Sequence, residues 1–387
     1  MVDGMMSAAD LFGSITVNPL PVPPKYLKWQ DEVVADVKSD YTVVFRDISK
    51  LDVPAGLHIM VPEGGTWNSE QFKMFLSERI PSANRRDIDK ILLRAGMTTY
   101  NVFRLALQTR AFNSKDLLWL SNEDETFLSV LPEIFKSVFM LKHDLEGNSN
   151  LNSPEGVNIK RYAVVNGDYG VLKQRLHTSS TDVESEVAVY RLSNVLGVDC
   201  CPAQFVEDGS HLKSFSKFEY NFAEEFIVHV RSAVSEKDLT GDLYQDLIKK
   251  FPQFRKNIEK MILLDFVTRQ TDRHLSNMAL KVFGDTVTFY PLYDNGRSLF
   301  HEDSAELSSA AVNNIELYSS EFGPIGTYFD VVGDIAKETK PSELIRLNID
   351  LAEIKEIYSS SGLKGDRCRD ASLWTFRCLE HLKSLSK

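Results

Sequence analysis

The stretch TDRHLSNMAL, Thr271 to Leu280, sets Asp272 and Asn277 five residues apart directly after an apolar, helix-like run. A carboxylate and an amide oxygen are thus offered on one short loop. A second carboxylate, Asp294 in YDNG, follows a segment that reads as a hairpin over Ala279 to Tyr290, and such a hairpin lets Asn277 and Asp294 reach one ion. Upstream, Lys173 lies in the strand-like GVLKQRL and Glu186 lies one helix later. Phosphoryl transfer needs these parts: a lysine on the nucleotide phosphates, steadied by a helix glutamate; a carboxylate for the acceptor hydroxyl; an amide and a second carboxylate for magnesium. The Asp-x4-Asn spacing is that of a kinase catalytic loop.

Each part alone has a plainer reading. Asp272 fits a cap, Lys173 a solvated strand lysine, Glu186 a residue favoured by the helix dipole in the first turn, and Asp294-Asn295-Gly296 a turn. Their order along the chain favours the chemistry over four coincidences.

The elements that must position them follow from periodicity. VNIKRYAVV-NGDYG-VLKQRL predicts a hairpin turning at Asn166-Gly167-Asp168, and DVESEVAVYRLSNVLG predicts a helix from Asp182 with a glycine stop at Gly197. CPAQFVEDGSHLKSFSKF reads as strand, and helices dominate from about Tyr244. The polar run Lys142 to Gly156 marks a boundary. Before it, Tyr41–Ile48 and Gly56–Pro62 read as strands, Asn68–Ile80 as a helix, and two further helices follow, broken near Gly96 to Tyr100. ETFLSVLPEIFKSVFML reads as a last helix of this portion. The expected fold is α+β: a two-lobed protein-kinase-like fold, with a small β-rich lobe at 150–217 and a large helical lobe at 218–387. A small α+β N-terminal domain at 26–145 precedes it, behind a disordered 1–25. The link between lobes, with backbone for an adenine ring, is expected near Leu212 to Ser216.

TDRHLSNMAL followed by FYPLYDNGRSL resembles the HipA-like serine/threonine kinases, whose loops read approximately N-T-D-R-H-x-x-N and P-L-Y-D. SEVAVYRLSNVLGV is similar to that family's N-E-Y…L-G helix, with Glu186 on its glutamate. SPEGVNIKRY looks like its phosphate loop, S-x-x-G-x-Q-x-K: Ser153, Gly156 and Lys160 match, Asn158 replaces the glutamine, and Pro154 departs from the pattern. The LKQ around Lys173 is more similar to the shorter, CtkA-type branch. The resemblance covers Asn150 to Lys387. It implies an ATP- and magnesium-dependent protein kinase of toxin–antitoxin type, acting on a protein substrate with an antitoxin-like partner. Asp272 would be catalytic, Asn277 and Asp294 would hold the metal, and Lys173, Glu186, Ser153, Gly156 and Asn158 would bind ATP. Ser153 matches the family's autophosphorylation site. The N-terminal portion departs most and reads as an added domain in place of the usual partner-binding region. A pseudokinase or antitoxin-like scaffold without turnover is the reading of a different class. A phosphoinositide-kinase-like lipid kinase ranks lower, because residues 294 to 330 are acidic and polar.

Composition sets further bounds. A net charge of −11 argues against general nucleic-acid binding. Four cysteines without a C-x-x-C pair, and eight scattered histidines, offer neither a zinc site nor a disulfide framework, so a reducing, cytoplasmic setting is expected. No apolar run has the length of a membrane span. Arg79, Arg85, Arg86, Lys90 and Arg94 read as a solvated helix face interrupted by Asp87 and Asp89, His274 as a loop brace, and the aromatic FPQF and LWTFRCLEHL as core.

Overall fold

The computed structural model describes residues 21–85, 88–112, 116–122, 125–127, 129–130, 160–208, 211–221, 225–234, 239–320, 322–323 and 326–387. The expected helix at 125–141 and the boundary at 142–156 lie almost wholly outside the described residues.

The N-terminal portion is built on a five-stranded antiparallel sheet, β1 (Tyr26–Trp29), β2 (Glu32–Val37), β3 (Val43–Phe45), β4 (Thr66–Trp67) and β5 (Leu118–Ser121), in the order β4-β3-β2-β1-β5. Among the described residues it is accompanied by helices α1 (Ser69–Ser77), α2 (Ile88–Arg94) and α3 (Val102–Gln108). Asn68 begins α1 with a capping box, its side chain taking the Gln71 N–H while Gln71 returns a bond to the Asn68 N–H. The α1 stripe Phe72, Phe75 and Leu76 is buried as its spacing requires.

Gly56–Pro62 is not a strand. Ala55–Met60 forms 3-10 turns closed by local bonds, Leu57 N–H to the Pro54 carbonyl and Val61 N–H to the His58 carbonyl. Gly56 packs so tightly that an added Cβ would lie 2.1 Å from Val282 Cγ1, so this turn has no space for a side chain at that position. A short apolar run does not separate the two conformations by period. The basic stretch is also corrected at two positions. Arg79 and Arg85 are 5% and 2% exposed, and Arg79 Nη1 donates to Asp116 at 2.8 Å within a buried ion pair.

The small lobe holds β6 (Lys160–Val165) and β7 (Asp168–Lys173), helix α4 (Asp182–Leu196), β8 (Ala203–Asp208) and β9 (His211–Lys217), with sheet order β6-β7-β9-β8. Asn166 and Gly167, both at positive φ, make the two-residue turn of the β6–β7 hairpin. Gly197, at φ 75°, ends α4 in the left-handed conformation. A second sheet, β10 (Glu225–His229), β11 (Ala279–Phe283) and β12 (Thr286–Phe289), joins the lobes.

The large lobe adds α5 (Leu243–Lys250), α6 (Arg255–Thr268), α7 (Ala305–Val312), α8 (Tyr328–Glu338), α9 (Leu351–Ser360) and α10 (Gly365–Leu385), with short helical turns at Val230–Ala233 and Pro341–Leu344. Its centre is α6, where every residue from Met261 to Thr268 is buried. The carbonyls at the α6 C-terminus have no partner within the helix. From α10, Trp374 Nε1 donates to the Phe266 carbonyl at 3.0 Å and Thr375 Oγ1 to the Val267 carbonyl at 2.8 Å. The chain leaving α6 therefore starts from a fixed point.

The core of the N-terminal portion is continuous with part of the rest of the chain. Tyr162, Phe226, Val228 and Val282 belong to the same buried cluster as its Leu27, Trp29, Phe72 and Trp119, and the Trp29 and Phe226 rings meet edge to face at 4.9 Å.

Candidate functional site

The loop that follows α6 carries Asp272 and Asn277. Arg269 opens it in the left-handed region, its guanidinium 4.6 Å from the Phe300 ring and its Nη1 2.8 Å from Asp303. Gln270 accepts the Asp272 N–H at 2.9 Å. Asn277 donates from Nδ2 to the Asp272 carbonyl at 2.8 Å, so the two residues close one turn. His274 accepts the Ser276 N–H on Nδ1 at 3.2 Å, which is the bracing role its position suggested.

Arg273 ties this loop to its surroundings. It is 4% exposed and paired with Asp265 on α6 at 3.0 Å. Its Nη1 donates to the carbonyls of Asn277 and Tyr293, at 3.1 and 2.9 Å, and its Nη2 to Asn295 Oδ1 at 2.6 Å. One guanidinium thus joins the loop of Asn277 to the loop of Asp294.

Asp294 sits at φ 57°, an uncommon conformation for a residue with a side chain. The Asn295 N–H is held by Glu186 Oε1 at 3.2 Å. At Gly296 an added Cβ would lie 3.1 Å from the Asp182 carbonyl and 3.3 Å from Glu186 Oε2, a close approach of the loop to α4 that glycine accommodates without displacement.

Lys173, at the end of β7, is buried, with Nζ 2.7 Å from Glu186 Oε2 and 2.9 Å from Asp294 Oδ1. Lys160, at the start of β6, takes the other oxygen, its Nζ 3.1 Å from Asp294 Oδ2. Burial alone would pull the Lys173 ammonium down, but Asp294 and Glu186 outweigh it and hold its pKa above the ordinary lysine value. Burial likewise works against the Asp294 carboxylate, and Lys160 and Lys173 overcome it, holding that pKa well below the usual range. Asp272 moves the other way. Burial raises it, the Arg297 guanidinium, 3.6 Å from Oδ2, opposes, and Asp294 raises it further.

These groups surround a cavity of about 280 Å3 between the lobes. Lys160, Lys173, Glu186, Asp272, Asn277, Asp294 and Arg297 line its charged end, while Tyr162, Val171, Phe218, Tyr220 and Tyr290 line its apolar side. Lys173, Glu186, Asp272, Asn277 and Asp294 are thus brought together, as their order in the sequence predicts. Ser153, Gly156 and Asn158 lie outside the described residues. Leu212 to Ser216 is not the link between lobes: it is the inner part of β9, whose backbone is engaged by β7 on one side and β8 on the other. The chain crosses between lobes after β9, and Phe218 and Tyr220, on that crossing, face the cavity. Arg297 was not singled out in the sequence, and Arg273, although its place in the D-R-H-x-x-N string is fixed, gave no sign there of the buried partners that it joins.

The oxygen donors of Asn277 and Asp294 suit a hard cation such as magnesium, which takes one or two carboxylates and completes its shell with water and phosphate. Among the described residues no cluster of three or more His, Cys, Asp or Glu side chains offers a separate metal site.

No protein-family model matches the chain, and no curated protein matches it. Among solved structures, HipA from the Shewanella oneidensis MR-1 toxin–antitoxin system, in its complex with HipB and operator DNA, aligns at TM-score 0.54 and 13% identity, over 93% of this chain and 96% of that one. The Helicobacter pylori proinflammatory kinase CtkA aligns at TM-score 0.46 and 15% identity, over 58% of this chain and 90% of that one. The chain has a two-lobed, HipA-like, kinase-type fold. The likeness does not single out the shorter branch. Because only 7% of the chain falls outside the HipA match, the N-terminal portion lies largely within it rather than being an addition to the fold.

Proposed function

We propose that this chain is an ATP- and magnesium-dependent protein kinase of HipA-like type that phosphorylates serine or threonine. The observation that carries the reading is the Lys173 amino group, shared at 2.7 and 2.9 Å between Glu186 and Asp294 across the two lobes. A buried ammonium held that way is preset for the phosphates of a nucleotide. The adenine would lie against Phe218, Tyr220 and Tyr290.

In the reaction the acceptor hydroxyl oxygen attacks the γ-phosphorus, the bond from that phosphorus to the bridging oxygen breaks, and ADP leaves. The hydroxyl proton passes to Asp272, whose raised pKa suits a group that must accept one. Arg297 opposes the rise in the Asp272 pKa and adds positive charge at the same end of the cavity. Asn277 and Asp294 would hold magnesium, which would neutralise phosphate charge when bound; Lys160 and Lys173 each donate to one Asp294 oxygen beside that position. Ser153 is proposed as an autophosphorylation site that opposes nucleotide binding once modified.

HipA in the S. oneidensis complex is accompanied by HipB, and this supports a partner of antitoxin type for this chain as well. Four buried, unpaired cysteines suit the cytoplasmic setting, and no described helix is long and apolar enough to cross a membrane. Incubation of purified protein with labelled ATP and a cell lysate, with Asp272→Asn in parallel, tests the proposal. Transfer of label to serine or threonine by the parent alone supports it. ATP binding without transfer by either protein would favour the scaffold reading instead.

A further inference from the structure

Arg85 belongs to the N-terminal portion, in the turn at Ser82–Arg85 that leads into α2, and is almost wholly buried. Its Nη2 donates to the carbonyl of Lys160 at 2.6 Å, across 75 residues of chain. Lys160 is the first residue of β6, and β6 is at the edge of its sheet. The end of an edge strand frays unless something outside the ladder holds it. Lys160 also stands directly opposite Lys173 in the β6–β7 ladder. Like charges so placed destabilise a sheet. Here both ammoniums converge on the two oxygens of Asp294, so the carboxylate bridges them. The placement of one of the two cations at the charged end of the cavity therefore depends on a strand end that a residue of the N-terminal portion holds.

We propose that Arg85 is a positioning residue for nucleotide phosphates, acting through Lys160. This rests on the nucleotide-binding reading above. With the Lys160 carbonyl released, the Lys160 ammonium is no longer fixed beside Asp294 and the phosphate end of the site loses half of its lysine charge. The aromatic end, at Phe218, Tyr220 and Tyr290, is untouched. Loss of Arg85 is thus selective: it weakens ligands that carry phosphates and spares those that do not.

Calorimetric titration of the full-length chain with magnesium–ATP and, separately, with adenosine reads this selectivity. In Arg85→Met the dissociation constant for magnesium–ATP rises about tenfold or more, the range expected when a hydrogen bond to a charged site is lost, while that for adenosine stays within about twofold. Arg85→Lys falls between parent and Arg85→Met. Lys160→Met reproduces the phosphate-selective loss, and the double variant is no weaker than the worse single one, because both changes remove the placement of one amino group. Parallel weakening of ATP and adenosine would reduce Arg85 to a support of the fold and overturn the proposal, as would parent-like ATP binding in both Arg85 variants. If Arg85→Met does not fold, Arg85→Lys decides alone by the same comparison. A parent that binds neither ligand removes the nucleotide reading itself, an outcome distinct from a parent that binds both and an Arg85 variant that does the same.

Discussion

Arg273 and Asp265 form an ion pair, 3.0 Å apart, in which both side chains are only 1% exposed. The pair is local in sequence, eight residues apart, yet it sets a long-range distance, because the same guanidinium holds the carbonyls of Asn277 and Tyr293. Removing one partner of a buried pair leaves the other charge uncompensated, at a cost of about 3–5 kcal/mol. Asp265→Ala should therefore lower the denaturation midpoint strongly. An unchanged midpoint would mean that the pair is not what anchors the loop.

Asp272→Asn keeps the shape of the side chain and removes its basicity. The expected loss in kcat is roughly 10²–10⁴, with ATP affinity close to that of the parent. A rate within a factor of a few of the parent would take Asp272 out of the mechanism.

The pH profile has a defined sign. Asp272 must be ionised to accept a proton, and burial raises its pKa, with Asp294 adding to the rise and Arg297 opposing it. Activity should fall on the acid side with an apparent pKa above that of an ordinary aspartate. Arg297→Met removes the opposing cation, so the acid limb of kcat/KM should move to still higher pH. A limb that stays in place, or moves down, would count against this arrangement.

Asp294→Ala should abolish the gain in ATP affinity that magnesium confers, measured by titration with and without the ion. It also leaves Lys160 and Lys173 facing each other across the β6–β7 ladder with nothing between them. ATP binding in the absence of magnesium is thus expected to survive, since two cations remain for the phosphates. Equal metal dependence in variant and parent would exclude Asp294 as a ligand.

A fragment spanning 150–387 would expose Tyr162, Phe226, Val228 and Val282, which are buried against the N-terminal portion in the whole chain. It is expected to be insoluble or to have lost ATP binding. A soluble fragment that binds ATP as the whole chain does would show that the shared cluster is dispensable.

Much of the site was legible before the structure. The α4 helix declared both ends, through its acidic first turn and Gly197, and the β6–β7 turn declared itself through Asn166-Gly167. The Asp272–Asn277 spacing is set by one turn of backbone, so sequence distance and spatial distance coincide. The β1–β2 hairpin had no such marker: its two-residue turn is Gln30-Asp31, with Gln30 at φ 50° where glycine or asparagine usually signals. Arg79 and Arg85 misled for a different reason. A basic residue on a solvated helix face and one buried against a carboxylate or a carbonyl have the same local pattern, and only the partner's position, 37 residues on at Asp116 or 75 on at Lys160, separates them. The link between lobes was displaced by a few residues because β9 is an inner strand, and apolar alternation marks where a strand lies better than where it stops being paired.

The cluster that joins the N-terminal portion to Phe226, Val228 and Val282 also bears on how the protein is made. β5, the last strand of the N-terminal sheet, ends at Ser121, and β11 carries Val282. At ribosomal rates of roughly 5–20 residues per second, on the order of 10–30 s separate the two. Phe226, whose ring packs edge to face on Trp29, also emerges only within that interval. The N-terminal sheet and its helices therefore emerge well before Phe226, Val228 and Val282 are available to complete the cluster, so that part of the core closes late in synthesis.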